Sequence, residues 1–192
     1  SASLDLSDTN NEDNEDGMSG NLSSFAVDAA GNLYVSDYNN IYVLDAEGNV
    51  QFKLDGSQYN GSLCRLNAQQ VGVMWYNYTD DVNAADENGQ YFVPIDLETK
   101  DWGEKVKLPS NVWSIFPGDD AYDFYYAYNN NIYGYAAKTD TKEKLVDWLA
   151  CDVDTNNMSG YAMLSDSRVA ALMQDWSTDP TTYQLIVLHR VD

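Results

Sequence analysis

The chain has 192 residues, which is enough for one domain with a sizeable core and hardly enough for two of ordinary size. Its formal net charge of −21, from 31 acidic and 10 basic residues, argues against nucleic acid or an anionic membrane surface as partner. Both surfaces would repel the chain, and phosphate contacts need lysine and arginine. A single histidine, His189, excludes a histidine dyad or a multi-histidine metal site.

The N-terminal part, residues 1–21, differs from the rest of the chain. Its first six residues, SASLDL, alternate apolar and polar positions and predict a single edge strand. Residues 8–17 are polar and acidic without apolar periodicity, which predicts a loop. No apolar stretch of the sequence reaches the length of a transmembrane helix, so we expect no transmembrane segment.

From residue 22 onward the sequence repeats. The phrase NLYVSDYNNIYVLD at 32–45 returns as DFYYAYNNNIYGYA at 123–136, and the Asn pairs at Asn39 and Asn129 lie 90 residues apart. The tripeptide MSG recurs after 140 residues, from Met18 to Met158. Both spacings fit one period of about 45 to 47 residues, which is typical of four-stranded propeller blades.

This period predicts an all-β fold, a β-propeller of about four four-stranded antiparallel blades. The repeats occupy residues 22–192, and their four units are expected at about 22–57, 63–109, 111–150 and 158–192. The helix-like stretch 141–150 is interpreted as an outer strand because it fills a repeat position that strands fill elsewhere. Pro94 within a predicted strand indicates a bulge or irregular pairing.

The fourth unit lacks an outermost strand, and two interpretations of this remain open. In one, SASLDL supplies the strand and the four units close into a ring without exposed edges. In the other, the four units are the C-terminal part of a larger propeller. Cys64 and Cys151 begin the second and fourth units and are expected to be two separate buried thiols, not a disulfide.

Two segments carry a resemblance to known proteins. The stretch from Tyr122 to Val191 resembles the propeller-like region that precedes the substrate-binding domain in extracellular solute-binding lipoproteins of anaerobic Gram-positive bacteria. The stretch SSFAVDAAGNLYVSDYNNIYVLDAEGNV is similar to NHL- and YncE-like propeller repeats. The resemblance implies an extracellular, cell-surface setting and other domains of a larger parent protein as partners, and it implies no catalytic residues.

One aromatic residue recurs where the second strand of each unit ends. These four are the predicted ligand-contact residues: Tyr38, Tyr78, Tyr128 and Trp176. The ends of second strands share one face of a propeller, so four rings there would suit a sugar or a peptide. The alternative is that the rings pack between neighbouring blades and do not meet solvent.

No metal or cofactor is predicted. Asp152, Asp154 and Asn156 have the spacing that begins a calcium loop, but Asn157 and Met163 stand where an EF-hand needs Gly and Glu. The alternative is a turn in which Asp and Asn side chains accept hydrogen bonds from backbone amides. The N-terminal acidic loop also lacks the residues that an EF-hand loop requires.

Two classes of function remain. The first is a non-catalytic cell-surface module that binds a glycan or peptide ligand, or another protein, and is accessory to solute uptake. The alternative is a carbohydrate-active enzyme, a glycoside hydrolase or lyase, that uses two loop carboxylates. The candidate carboxylates for the enzyme are Asp80, Asp81, Asp86, Asp119, Asp120 and Asp123. A pair of carboxylates converging in one pocket on the aromatic face would favour the enzyme.

Overall fold

The computed structural model describes residues 23–37, 39–81, 87–129, 131–164 and 168–188. The chain divides into two compact units, Ser1–Asn111 and Val112–Asp192, here called unit 1 and unit 2. The SASLDL segment and His189 lie outside the described residues. Regular structure in the described part of the chain consists of β-strands and short 3-10 turns.

Unit 1 contains two antiparallel sheets whose strands follow one another in chain order. The strands of sheet 1 are β1 (Ser24–Val27), β2 (Leu33–Ser36), β3 (Asn40–Leu44) and β4 (Val50–Asp55). The strands of sheet 2 are β5 (Ser62–Arg65), β6 (Val71–Asn77), β7 (Gly89–Asp96), β8 (Asp101–Trp102) and β9 (Val106–Lys107).

Unit 2 repeats this plan. The strands of sheet 3 are β10 (Ser114–Pro117), β11 (Phe124–Tyr128), β12 (Asn131–Ala136) and β13 (Thr141–Asp147). The strands of sheet 4 are β14 (Met158–Met163), β15 (Val169–Asp175) and β16 (Thr182–Leu188). Four small antiparallel sheets with strands in sequential order are the blades of a β-propeller fold, so the predicted fold class is confirmed. The interpretation of 141–150 as an outer strand is confirmed for Thr141–Asp147, whereas residues 148–150 form a turn.

The outer strand of sheet 2 is interrupted, as Pro94 predicted. Strand β7 pairs with β8 through Ile95 and Asp96, and with β9 through Tyr91 and Phe92. The carbonyl of Pro94, between these pairs, accepts a hydrogen bond from the Gly103 N–H over 2.8 Å. Because proline has no N–H, Pro94 cannot donate a hydrogen bond to the outer strand. The fourth strand is therefore split into two short pieces.

Each unit has its own apolar core between its two sheets. In unit 1, Tyr34 and Val43 of sheet 1 pack with Val73 and Val93 of sheet 2. In unit 2 the core contains Tyr125, Ile132 and Trp148 of the third blade and Val169 and Ala171 of the fourth. In both units, a buried tyrosine of the first blade therefore packs with β-branched or small side chains of the second.

Aspartates at strand ends form the turns. In each case one carboxylate oxygen accepts the N–H of the second residue that follows it, the arrangement of an Asx-turn. The aspartates with this bond are Asp28, Asp37, Asp45, Asp55, Asp96, Asp119, Asp154 and Asp175. Part of the acidic composition is therefore structural, because neighbouring backbone N–H groups stabilise these carboxylates.

The structure gives a two-blade repeat of 91 residues, which agrees with the predicted period of about 45 to 47 residues per blade. Tyr125 follows Tyr34 and Asn131 follows Asn40 by 91 residues (125 − 34 and 131 − 40), not by the 90 that the Asn pairs gave. Tyr42 of β3 is opposite Lys53, and Tyr133 of β12 is opposite Lys144, with the same spacing. Unit 2 is thus a structural repeat of unit 1, and each unit is built from two blades.

The expectation of two buried thiols is wrong for Cys151 and only partly met by Cys64, whereas the expectation that they form no disulfide is confirmed. Both cysteines are free, with Cys64 half-buried on β5 and Cys151 exposed. Cys151 lies in the connection between β13 and β14, and its N–H donates to the carbonyls of Asp147 and Trp148. Its position is in the turn before the fourth blade, and the side chain therefore remains in solvent.

Candidate ligand-binding site

Two of the predicted contact residues are exposed at strand ends. Tyr78 directly follows β6, is 68% exposed, and donates a hydrogen bond from its hydroxyl to Asp80 over 2.6 Å. Trp176 directly follows β15 and is also 68% exposed. Tyr38 lies outside the described residues. The structure places these residues where second strands end, and their role in ligand contact stays a prediction.

Tyr128 has a different environment. It is the last residue of β11, is half-buried, and its ring meets the ring of Trp113 edge-on at 5.8 Å between centroids. The Trp113 N–H donates to the carbonyl of Ala127 over 2.9 Å, which fixes this residue beside the end of β11. The Trp113 side chain is 55% exposed. The pair therefore presents a large aromatic surface to solvent at the end of the second strand.

Trp113 borders a cleft between sheets 3 and 4, within unit 2, with a volume of about 200 Å³. We call it the aromatic cleft. Its principal lining residues are Trp113, Asn131, Trp148, Thr155, Ser159 and Tyr161. The Trp148 side chain is almost fully buried, and its ring centroid lies 6.0 Å from that of Tyr161.

Asn131 gives the aromatic cleft an unusual polar group. Its Nδ2 donates to the carbonyl of Asn129 over 2.7 Å. Its Oδ1 is buried and accepts no hydrogen bond from the described residues. A buried acceptor without a donor costs about 1–3 kcal/mol, so such atoms are rare in folded proteins. A ligand N–H or O–H that reached this atom would remove this cost.

The local sequence explains why the cleft is open. Gly160 lines it, and a Cβ at this position would have no atom within 4 Å. Asn129 has a φ of 48°, in the left-handed region that Asn adopts more readily than most residues. This tight turn brings Asn131, the first residue of β12, beside the cleft. The opening therefore follows from one missing side chain and one short turn.

Two of the carboxylates proposed for catalysis from the sequence have structural partners. Asp119 accepts hydrogen bonds from the Ala121 N–H and the Tyr125 hydroxyl, and Asp123 accepts one from the Ala137 N–H. Asp86 lies outside the described residues. No carboxylate is among the described residues that line the aromatic cleft.

A second cleft, of about 360 Å³ at sheet 4, does bring carboxylates together. It is lined by Asp152, Asp154 and Asp175, with Tyr183 beside them. Hydrogen bonds from the Ser177 hydroxyl and N–H lower the pKa of Asp175 below its usual value. Asp175 is therefore held ionised and is unsuited to the role of a proton donor near neutral pH.

The predicted calcium-like loop forms a turn. Both carboxylate oxygens of Asp154 accept hydrogen bonds, from the Asn156 N–H and side chain and from the Asn157 side chain. These bonds cap a 3-10 turn, Thr155–Asn157. Within the part of the chain that the structure describes, no group of three or more His, Cys, Asp or Glu is arranged to hold a metal ion.

The residues predicted from the sequence do not include Trp113, Asn131, Trp148 or Tyr161. The predicted residue Tyr128 does not itself line the aromatic cleft but contacts Trp113, which does. The predicted residues lie at the ends of second strands. The cleft is also lined by residues of the inter-blade connections, Trp113 before β10 and Trp148 after β13. The signal was present in the sequence, because Trp113 opens the third unit and Trp148 closes it. Comparing inter-blade connections, as well as strands, would have indicated these residues.

No protein-family model and no curated protein matches the chain. Among solved structures, it is similar to the extracellular domain of a protein described as a hybrid two-component system of B. thetaiotaomicron, at 15% identity and a TM-score of 0.48. That match covers 94% of this chain and 22% of the other. A second structure of that extracellular domain, described as a one-component system, matches at 16% identity and a TM-score of 0.44, covering 91% of this chain and 23% of the other.

A streptogramin B lyase is similar at 15% identity and a TM-score of 0.43, covering 88% of this chain and 70% of the lyase. This chain thus spans less than a quarter of the two extracellular domains. At these identities and TM-scores the similarities carry no functional information. None of the described residues belongs to a helix with the length and apolar character that crossing a bilayer requires.

Proposed function

We propose that this chain is a non-catalytic propeller module that binds a sugar or peptide group in the aromatic cleft of unit 2. The observation that supports this most directly is the combination of an exposed Trp113 ring with the buried Oδ1 of Asn131, which accepts no hydrogen bond from the described residues. Sugars and peptides offer both an apolar face for a ring and a hydroxyl or amide donor for the oxygen.

The size and lining of the cleft support a binding role. Its volume of about 200 Å³ is below the roughly 300–1,000 Å³ of pockets for drug-sized ligands. A single sugar ring or one peptide side chain is therefore the expected occupant. Hydrolysis of a glycoside needs two carboxylates at the bond, and the described lining of this cleft has none.

The setting that we propose is extracellular and cell-surface associated. The resemblance of the sequence to propeller regions of solute-binding lipoproteins supports this setting, together with an accessory role in solute uptake. The net charge of −21 is consistent with a protein that remains soluble outside the cell and avoids anionic polymers.

The test is a binding screen of the full chain against glycans and short peptides, followed by tryptophan fluorescence on each hit. Trp113→Ala removes the exposed ring of the cleft and should weaken binding by about 1–3 kcal/mol, since base or ring stacking on an aromatic side chain has this magnitude. Trp176→Ala is the matched control, because Trp176 is another exposed tryptophan of unit 2 and does not line the cleft.

Two results would overturn the proposal. In one, no ligand of either class binds. In the other, Trp176→Ala abolishes binding and Trp113→Ala leaves it unchanged, which would favour the strand-end residues as the contact surface in place of the cleft.

A further inference from the structure

The 91-residue repeat predicts an equivalent of the aromatic cleft in unit 1. The Ser23 N–H donates to the carbonyl of Ser36 over 2.8 Å, as the Trp113 N–H donates to that of Ala127. Ala127 follows Ser36 by 91 residues (127 − 36), so Ser23 occupies the structural position of Trp113. These two residues are 90 apart (113 − 23) because the first hairpin of unit 2 is one residue longer. A cleft of about 290 Å³ lies at this place between sheets 1 and 2.

This cleft, here called the polar cleft, has a different lining. Its polar residues are Ser23, Ser36, Tyr59, Asn60 and Ser62. All of these side chains are neutral, and each both donates and accepts hydrogen bonds. The described lining contains no Lys, Arg, Asp or Glu that would select an ion.

The walls of the polar cleft are held in place. The ring of Tyr59 meets the rings of Trp75 and Trp102 edge-on, at 5.1 and 5.0 Å between centroids. A Cβ on Gly61 would lie 2.2 Å from the carbonyl oxygen of Met74, so the connection between β4 and β5 packs directly on sheet 2. A cleft with fixed walls loses little conformational entropy when a ligand enters.

We propose that the polar cleft is a second binding site, for one ring of a neutral, hydroxyl-rich ligand such as a sugar. Hydroxyl groups of the ligand would pair with the serine, tyrosine and asparagine groups, whereas an apolar ligand would leave those groups buried without partners. An anionic ligand is disfavoured by the net charge of −21 and by a described lining without a cation. The site is separate from the aromatic cleft, so each proposal can fail alone.

The experiment follows backbone amides of the full ¹⁵N-labelled chain by NMR during titration with glucose, galactose and N-acetylglucosamine. Glucuronate serves as the charged comparison. We expect saturable shifts in the amides of residues 56–62 with at least one neutral sugar and none with glucuronate. Amides of Ser159 and Gly160 and the indole of Trp113 report on the aromatic cleft in the same spectra, which keeps the two sites distinguishable.

The substitution Ser23→Trp introduces a tryptophan into the polar cleft, as at the equivalent position of unit 2, Trp113. Ser23 is exposed, so the substitution should leave the fold intact and weaken binding in the polar cleft at least about tenfold. Gln69→Trp, at an exposed turn outside the cleft, controls for adding a tryptophan, and Trp113→Ser should leave the shifts of 56–62 unchanged.

The proposal is overturned if no neutral sugar shifts the amides of 56–62 up to about 100 mM. It is also overturned if those shifts persist unchanged in Ser23→Trp, or if glucuronate causes them equally.

Discussion

The hydroxyl of Tyr34 donates a hydrogen bond over 3.1 Å to the carboxylate of Asp28, six residues before it. Tyr125 makes the same bond to Asp119, also six residues before it, in the other unit. Each pair ties the second strand of a blade to the turn that precedes it. Burial and the neighbouring carboxylate raise the pKa of Tyr34, so the phenol keeps its proton and remains a donor at neutral pH.

The first prediction concerns this pair. Tyr34→Phe should reduce the free energy of unfolding by about 1.5–3 kcal/mol, the range for a hydrogen bond to a charged group. The cause is the loss of a buried donor to Asp28, whose carboxylate keeps its bonds to Ala30 and Asn32. Urea denaturation of the full chain measures the change.

Tyr76→Phe is the control for that measurement, because Tyr76 is 60% exposed. We expect this variant to unfold within about 0.5 kcal/mol of the parent, as surface substitutions do. Equal stabilities of Tyr34→Phe and the parent would contradict a stabilising role for the buried pair.

The second prediction concerns pH. Burial alone would raise the pKa of Asp28, but hydrogen bonds from Asn32, Tyr34 and Ala30 outweigh it and hold the pKa below its usual value. Hydrogen bonds also lower the pKa values of Asp45, Asp55 and Asp96. A carboxylate with a lowered pKa in the folded state binds its proton more readily once unfolded.

The direction of the pH dependence follows from this difference in carboxylate pKa between the folded and unfolded states. These groups contribute their full stabilisation above the unfolded pKa of about 4, and the contribution disappears as the pH falls through the lower folded values. Stability should therefore decline from about pH 4 downwards, measured by urea unfolding between pH 6 and pH 2.5. In Asp28→Asn the free energy of unfolding should decrease less as the pH falls. A pH dependence identical to that of the parent would exclude Asp28 as a contributor.

The third prediction compares two glycines. Gly61→Ala should destabilise the chain by about 1–3 kcal/mol, because overpacking has this cost and the new Cβ would lie 2.2 Å from the Met74 carbonyl oxygen. Gly160→Ala is the matched case, since its Cβ would enter open space. We expect this second variant to be neutral or more stable by about 0.5–1 kcal/mol, measured by thermal and urea unfolding.

Comparison of the two glycine variants also distinguishes an effect on packing from an effect on ligand binding. Gly160→Ala adds a methyl group beside the aromatic cleft, so it should weaken a ligand there without loss of stability. Destabilisation by Gly160→Ala as large as that by Gly61→Ala would mean that the cleft is not open at this position.

The fourth prediction concerns the two thiols. Burial raises the pKa of the Cys64 thiol to about 12, so its reactive thiolate is scarce at neutral pH. Cys151 is exposed. Ellman's reagent should therefore modify one thiol quickly in the native chain and the second only after denaturation.

Cys151→Ser should abolish the fast reaction, and Cys64→Ser should leave it intact. A fast reaction of both thiols in the native chain would contradict the burial of Cys64. Mass spectrometry of the modified peptide identifies which cysteine has reacted.

Much of the fold was predictable because its signals are local. The alternation of aromatic and β-branched residues with Asn, Asp and Gly turns indicated strands β1 to β4 and β10 to β13. Pro94 indicated the irregular strand, because a missing N–H has the same consequence in any sheet. The candidate site was less predictable: the strand-end pattern indicated Tyr128, which only contacts Trp113, whereas Trp113 itself lines the cleft and comes from the preceding inter-blade connection.

The sequence by itself determined the all-β class, the strand order and the propeller-blade repeat, since these depend on periodicity and turn chemistry within a few tens of residues. Only the tertiary structure decided the 91-residue register, the exposure of Cys151 and the two clefts. Those features depend on which side chains meet across two sheets. The position that Trp113 occupies in unit 2 is occupied by Ser23 in unit 1. Equivalent backbone positions therefore line an aromatic cleft in unit 2 and a polar cleft in unit 1.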